Sequence, residues 1–292
     1  MVSSKYLTPL DIQPGKSGNC EVVRTVEPPG KKMMLGNLRT AYIGGQGVHK
    51  DLYWPHETTW HQLLIDGSRM MSDWPIEQRQ HNEELKGMRG RVLIGGLGLG
   101  YAATVLLKRA SVTHVTVVEI SADVIKLVAP FTRDPSNKLT VVHADLLEFY
   151  RDYNGQRFDW AFHDIWASNG EGTFHETVVP LYQLSQGKVR RMPVNWNENV
   201  MRGQLRMALD SRLRYLEPGA LKHLTGSDSP KGWRDPWEHD GTDRPWHNWC
   251  VPFFMWWKKA SPTNDEATKM ARMYASVYGL WSWEDLWKAA VT

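Results

Sequence analysis

Residues 90–225 are predicted to fold as a doubly wound α/β domain around a parallel sheet. Three observations predict it. From residue 91 onward, short apolar strands alternate strictly with helices. The first strand runs into a glycine-rich turn that opens a helix. The second, third and fourth strands each end at or near an acid: Glu119, Asp145 and Asp164.

The elements follow in order. Arg91-Val92-Leu93-Ile94 is a continuous apolar run, which suits a strand covered on both faces. Tyr101 to Arg109 is the first helix. His114 to Val118 is the second strand. Ala122 to Ala129 is a helix stopped by Pro130. Leu139 to Val142 is the third strand, Leu146 to Tyr153 a short helix, and Phe158 to Phe162 the fourth strand. Residues 167–198 are polar and loop-like, with one helical piece from Phe174 to Leu184. Val200 to Leu216 carries helical apolar spacing at Met201, Leu205, Ala208, Leu209, Leu213 and Leu216. Glu217-Pro218-Gly219 turns the chain, and Ala220 to Leu224 is expected to be the fifth strand.

Two flanks complete the organisation. Residues 1–89 form a β-rich segment. Pro14-Gly15, Pro28-Pro29-Gly30 and Gly36-Asn37 break residues 1–40 into irregular structure and short strands. Gly44 to Gly47 is a loop. His61 to Ile65 ends at Asp66-Gly67, a hairpin signal. Trp74 to Lys86 is expected to be helical, closed by Gly87 and Gly90. Residues 226–292 form an extension marked by tryptophan. Of 15 tryptophans, nine lie between Trp233 and Trp287, and a packed aromatic cap is preferred there over a recognition surface. Within the extension, residues 226–250 read as loop, Val251 to Trp257 as a strand and Asn264 to Lys288 as a helix.

Composition excludes several classes of function. The 292 residues are 41% hydrophobic and 23% charged, an ordinary globular balance. A net charge of +3 gives no basic stripe for nucleic acid, and Lys188, Arg190 and Arg191 read as a solvated loop. Cys20 and Cys250 lack metal-ligand spacing, so free thiols in a reducing compartment are expected, and no metal site. Met1 to Gly15 contains no apolar leader core, and no run approaches the roughly 20 apolar residues of a membrane span. A soluble cytoplasmic protein is expected. A homo-oligomer is compatible with the sequence.

The chemistry gathers at the strand ends. The loop Gly95-Gly96-Leu97-Gly98-Leu99-Gly100 lets a ligand approach bare backbone at a helix N-terminus, where N–H groups are unpaired. Framed as Gly96-x-Gly98-x-Gly100, it suits S-adenosylmethionine. Framed as Gly98-x-Gly100-x-x-Ala103, it suits a dinucleotide. Glu119 follows Gly100 by 19 residues, where a carboxylate can accept both ribose hydroxyls. In S-adenosylmethionine enzymes an acid at the place of Asp145 receives the adenine amino group, and capping the helix after it is the competing role. Asp164 is placed to hold an acceptor or take its proton. Trp166 is a candidate shelf for a flat or cationic acceptor, with ordinary packing as the competing role. His163 is read as structural. Leu216-Glu217-Pro218-Gly219-Ala220 is similar to the Leu-x-Pro-Gly-Gly turn common in methyltransferases of this fold.

Residues 60–165 resemble the spermidine synthase-like branch of the class I S-adenosylmethionine-dependent methyltransferases. The resembling pieces are Leu64 to Gly67, Val92 to Gly100, Val117 to Ile120, Asp145 to Phe149, and Phe158-Asp159 leading to Asp164. The resemblance implies a Rossmann-like sheet, ribose on Glu119, adenine at Asp145 and a catalytic loop opening at Asp164. Two positions depart from it. Gly98 stands where those synthases carry an acid, and Ala167 stands where they carry a second carboxylate. Holding a dicationic diamine in a partly dry pocket needs paired negative charge. The expected activity is therefore methyl transfer from S-adenosylmethionine to a small molecule or protein. An aminopropyltransferase with an altered acceptor is the alternative, followed by an NAD(P) oxidoreductase and a non-catalytic binding protein. Nucleic acid is not an expected acceptor: Asp164-Ile165-Trp166-Ala167 differs from Asp-Pro-Pro-aromatic, and neither cysteine follows a proline.

Overall fold

The computed structural model describes residues 10–31, 54, 56–132, 134, 136–166 and 177–201. These build two sheets. The first is antiparallel, in the order β1 (Gly15–Ser17), β2 (Cys20–Glu27), β3 (Thr58–Ile65), β4 (Ser68–Ser72). The second is parallel, in the order β7 (Leu139–His143), β6 (Val112–Glu119), β5 (Gly90–Gly95), β8 (Trp160–His163), β9 (Val194–Asn195). Helix α1 (Pro75–Glu84) leads into β5. Helices α2 (Tyr101–Leu107), α3 (Ala122–Val128) and α4 (Leu146–Asp152) make the crossovers, and α5 (Val179–Ser185) precedes β9. Almost all of these residues belong to one compact unit, residues 1–168 and 180–197.

Local chemistry explains most of the elements. In β5, Val92, Leu93 and Ile94 are all fully buried, as a strand covered on both faces requires. Each such side chain contributes roughly 1.5–3 kcal/mol of burial. Ser121 caps α3 by accepting the Val124 N–H at 3.2 Å, and the 3₁₀ turn Ala129–Phe131, which contains Pro130, ends it. Asp66 (φ 51°) and Gly67 (φ 74°) form the two-residue turn between β3 and β4. Trp60 and Trp74 pack edge-to-face at 5.1 Å, and Trp54 joins them at 5.8 Å from Trp74.

Three expectations are corrected. The parallel sheet takes a fifth strand from Val194–Asn195, inside the stretch expected to be loop-like. Two residues carry no periodic signal. The pairing is held by tertiary hydrogen bonds: His163 Nδ1 lies 2.9 Å from Asn195 Oδ1, which accepts, and the Trp196 N–H donates to the His163 carbonyl at 2.9 Å. The N-terminal segment, expected to hold irregular structure and short strands, contains the eight-residue β2, in which Cys20 and Val22 are buried and Glu21 and Val23 half-buried. Phe158 makes only an isolated bridge to Val189, so β8 begins at Trp160. The Cys20 thiol is free and buried.

Several expectations lie outside the described residues. They are the loop at Gly44 to Gly47, most of the helix from Val200 to Leu216, the turn and strand after it, Cys250, Ala167 and the whole extension from 226 to 292. Among the described residues, no helix is long and apolar enough to cross a membrane.

Candidate functional site

Strand order reverses between β5 and β8, which opens a crevice at the carboxyl ends of the parallel strands. A cavity of about 190 Å³ lies there. Gly96, Gly98, Glu119, Asp145, Asp164 and Trp166 line it from the parallel sheet. Leu63, Ile65, Met70 and Met71 line it from the antiparallel sheet.

The glycines of the loop divide into two roles. Gly96 (φ 88°) lies so close to the end of β8 that a Cβ there would stand 2.4 Å from the Asp164 carbonyl oxygen. Gly98 (φ 52°) faces Met71, whose sulfur would be 2.1 Å from a Cβ. Met71 Sδ also accepts the Leu99 N–H at 3.1 Å, so the antiparallel sheet leans directly on the loop. Gly95 and Gly100 are placed differently. A Cβ on Gly95 would strike Leu146, and one on Gly100 would strike Thr132. Gly100 (φ 76°) is the residue from which α2 starts. Both serve close packing, and neither is among the residues lining the cavity.

Glu119 is held by backbone donors. Its Oε2 accepts the Leu97 N–H at 2.7 Å and its Oε1 accepts the Ser121 N–H at 2.8 Å. Each carboxylate oxygen has a second acceptor site, so the pair remains able to receive two hydroxyls. The next residue, Ile120, is 66% exposed and lines the cavity, an apolar shelf in contact with water. Asp145 caps α4 through Oδ1, which accepts the Glu148 N–H at 3.0 Å, and it borders the same cavity. Trp166 is buried with part of its surface on the cavity wall.

Asp164 has a partner that sequence inspection missed. His81, on α1, points Nε2 at Asp164 Oδ2 at 3.3 Å and Nδ1 at the Glu77 carbonyl oxygen at 2.9 Å. The ring stacks on Trp196 at 5.6 Å and meets Tyr101 and Phe162 edge-on. Burial by itself pulls the His81 pKa down. The hydrogen bond and charge of Asp164, the Glu77 carbonyl and the Glu84 charge outweigh it, leaving the pKa raised above 6.5. The stability His81 contributes is therefore complete below pH 6.5 and is lost as pH climbs through its folded value. Melting curves taken from pH 6.5 upward should fall more steeply for the natural chain than for His81→Phe. Parallel curves would refute that.

His163 is set in the core beneath Asp164. Its Nδ1 lies 2.9 Å from Asn195 Oδ1 and its Nε2 2.8 Å from the Tyr150 hydroxyl. Burial holds its pKa at about 4, and burial raises Tyr150 well above its ordinary range. The neutral ring ties β8 to β9 and to α4. Among the described residues, no group of three or more His, Cys, Asp or Glu is arranged to hold a metal ion.

No family model matches the chain, and no curated protein matches it in sequence. Solved structures do. A putative S-adenosylmethionine-dependent methyltransferase from Streptococcus mutans matches 53% of this chain and 47% of its own at 11% identity, with a TM-score of 0.37. One from Archaeoglobus fulgidus matches 39% and 45% at 22% identity and a TM-score of 0.27. A Trypanosoma brucei PRMT1 enzyme–prozyme complex with AdoHcy matches 41% and 37% at 17% identity and a TM-score of 0.31. The matched part is under half of each relative's length, and likeness at this level carries no functional inference.

Proposed function

We propose that the chain binds S-adenosylmethionine in the crevice and transfers its methyl group to a small-molecule or protein acceptor. The observation that carries this reading is the convergence of Gly96–Gly98, Glu119 and Asp145, from three successive strand ends, on one cavity that Asp164 also faces. The lining suits a nucleoside ligand. Gly96 and Gly98 line the cavity without side chains of their own. Glu119 presents a fixed carboxylate for ribose hydroxyls. Ile120 offers an apolar face for a base, and Asp145 an acceptor for its amino group.

Bound there, S-adenosylmethionine would supply an electrophilic methyl group. The residues of the chain do the rest by placement. Glu119 and Asp145 orient the nucleoside, and Leu63, Ile65 and Met70 help exclude water from one side. Asp164 holds the acceptor and takes its proton as the methyl bond forms. The residues named are those expected from the sequence, except that Gly95 and Gly100 act through packing. A cytoplasmic location is part of this reading.

A second reading is aminopropyl transfer by a relative of the spermidine synthases. It is favoured by the antiparallel sheet, which supplies one wall of the cavity through Leu63, Ile65, Met70 and Met71. Ala167, where the resemblance calls for a second carboxylate, counts against a diamine acceptor.

Calorimetry decides among these. S-adenosylmethionine and S-adenosylhomocysteine are expected to bind with micromolar-scale affinity and to raise the melting temperature. Heat with NADPH alone would overturn the reading, and heat with decarboxylated S-adenosylmethionine alone would favour aminopropyl transfer. Glu119→Ala should weaken binding by about 1.5–3 kcal/mol, the scale of a lost charge-assisted hydrogen bond. Unchanged affinity in a folded variant would remove Glu119 from the ribose site.

A further inference from the structure

His81 lies outside the residues assigned above, and its surroundings are unusual for a buried histidine. Both ring nitrogens face acceptors: the Glu77 carbonyl at 2.9 Å and an Asp164 carboxylate oxygen at 3.3 Å. A neutral imidazole has one N–H and one lone pair. Either neutral tautomer would therefore set a lone pair against an acceptor inside a buried site, and only the doubly protonated ring satisfies both contacts. The remaining neighbours suit a cation. Trp196 stacks on the ring, while Tyr101 from α2 and Phe162 from β8 close its edges. Among the described residues, the charged groups that act on it are Asp164, on the cavity wall, and Glu84 on its own helix. The Glu77 side chain is turned away, accepting the Ser72 N–H at 2.9 Å.

We propose that His81 is the positioning residue of this site: an imidazolium clamped between the Glu77 carbonyl and Asp164, it fixes the Asp164 carboxylate at the cavity wall. The proposal rests on the S-adenosylmethionine reading for what the carboxylate faces, and on geometry alone for the clamp. One carboxylate oxygen is committed to His81, so a single oxygen is left to meet an acceptor. Because an opposite charge sits behind it, the carboxylate presents little net charge to the cavity. A single-proton acceptor suits it better than a dication. Helix α1 is buried without an apolar stripe because its polar side chains are bonded: Gln78 donates to the Asp73 carbonyl, Glu77 accepts from Ser72, and His81 joins Asp164.

The test is nitrogen NMR of the full chain with labelled histidine, with and without ligands. His81 is expected to carry both protons at pH 6.5, and its titration midpoint should move to lower pH in Asp164→Asn, which keeps shape and removes charge. A single neutral tautomer at that pH, or an unmoved midpoint in Asp164→Asn, would overturn the clamp. Two ligands then test what it faces. Sinefungin places an ammonium where the transferable methyl would be, and S-adenosylhomocysteine places nothing there. The His81 midpoint should be lower in the sinefungin complex, a difference that a purely structural ion pair far from the transfer point would not show. Equal midpoints would overturn the positioning role. Failure of both ligands to bind would sink the cofactor reading and the positioning role together, while the titration without ligand would still decide the clamp.

Discussion

Asp164→Asn is expected to lower turnover by roughly a hundredfold or more, the scale of a lost general base, while most cofactor affinity survives. The carboxylate is at the end of β8, on the cavity wall, with its backbone N–H donating to the Gly95 carbonyl at 2.9 Å. That bond joins β8 to β5 and does not depend on the side chain, so the strand end stays in place. An amide at this position can still accept from His81 Nε2, which keeps the pocket shape. On the proposed reading, what is lost is the basic oxygen that receives the acceptor's proton. Initial rates of S-adenosylhomocysteine release, measured with an acceptor found by metabolite screening, read the effect. Full activity in Asp164→Asn would remove its chemical role. Robust spermidine formation from putrescine and decarboxylated S-adenosylmethionine would show that the absent carboxylate at Ala167 matters less than argued.

Gly96→Ala is expected to do the greatest damage of any single-carbon change in the loop that lines the cavity. Two costs coincide there. At φ 88° an alanine backbone is strained, typically by about 1–3 kcal/mol. Its Cβ would also stand 2.4 Å from a backbone oxygen, that of Asp164, and no rotamer can relieve that contact. The ends of β5 and β8 would have to part, which opens the cavity at its floor and displaces the Asp164 carboxylate. A fall of several degrees in melting temperature and at least a tenfold loss of ligand affinity are expected, because the displaced wall is the one that carries the site. Gly30→Ala isolates the first cost. Gly30 has φ 76° with open space around it and lies away from the cavity. It should lose some stability and no affinity. If the two variants behaved alike, the close approach of loop and strand would not be what Gly96 serves.

What could be read from sequence was what short stretches of chain decide for themselves. The apolar run at Val92 to Ile94, the glycines that follow, the helix stopped at Pro130 and the Asp66-Gly67 turn each work through neighbours a few residues away, and each appears where it was expected. Glu119, Asp145 and Asp164 were legible for the same reason: parallel strands connected by helices bring all their carboxyl ends to one side, so residues at strand ends meet without any knowledge of side-chain packing.

The tertiary structure decided the rest. His81 is 83 residues from Asp164, on a helix of polar residues whose burial depends on hydrogen bonds made after folding. Nothing local marks it. Met71 reaches Gly98 only because one sheet leans on the loop of the other, a packing contact with no periodic trace. The division of the glycines followed from which neighbours crowd each one and which line the cavity: Leu146 and Thr132 at Gly95 and Gly100, the Asp164 carbonyl and Met71 at the cavity-lining Gly96 and Gly98. Strand β9 has two residues, too few for any pattern, and exists because Asn195 and Trp196 bond to His163. Periodicity records a residue's relation to solvent and to its own element. The partner it meets across the fold is set by the packing of whole elements, and that information is not in the spacing.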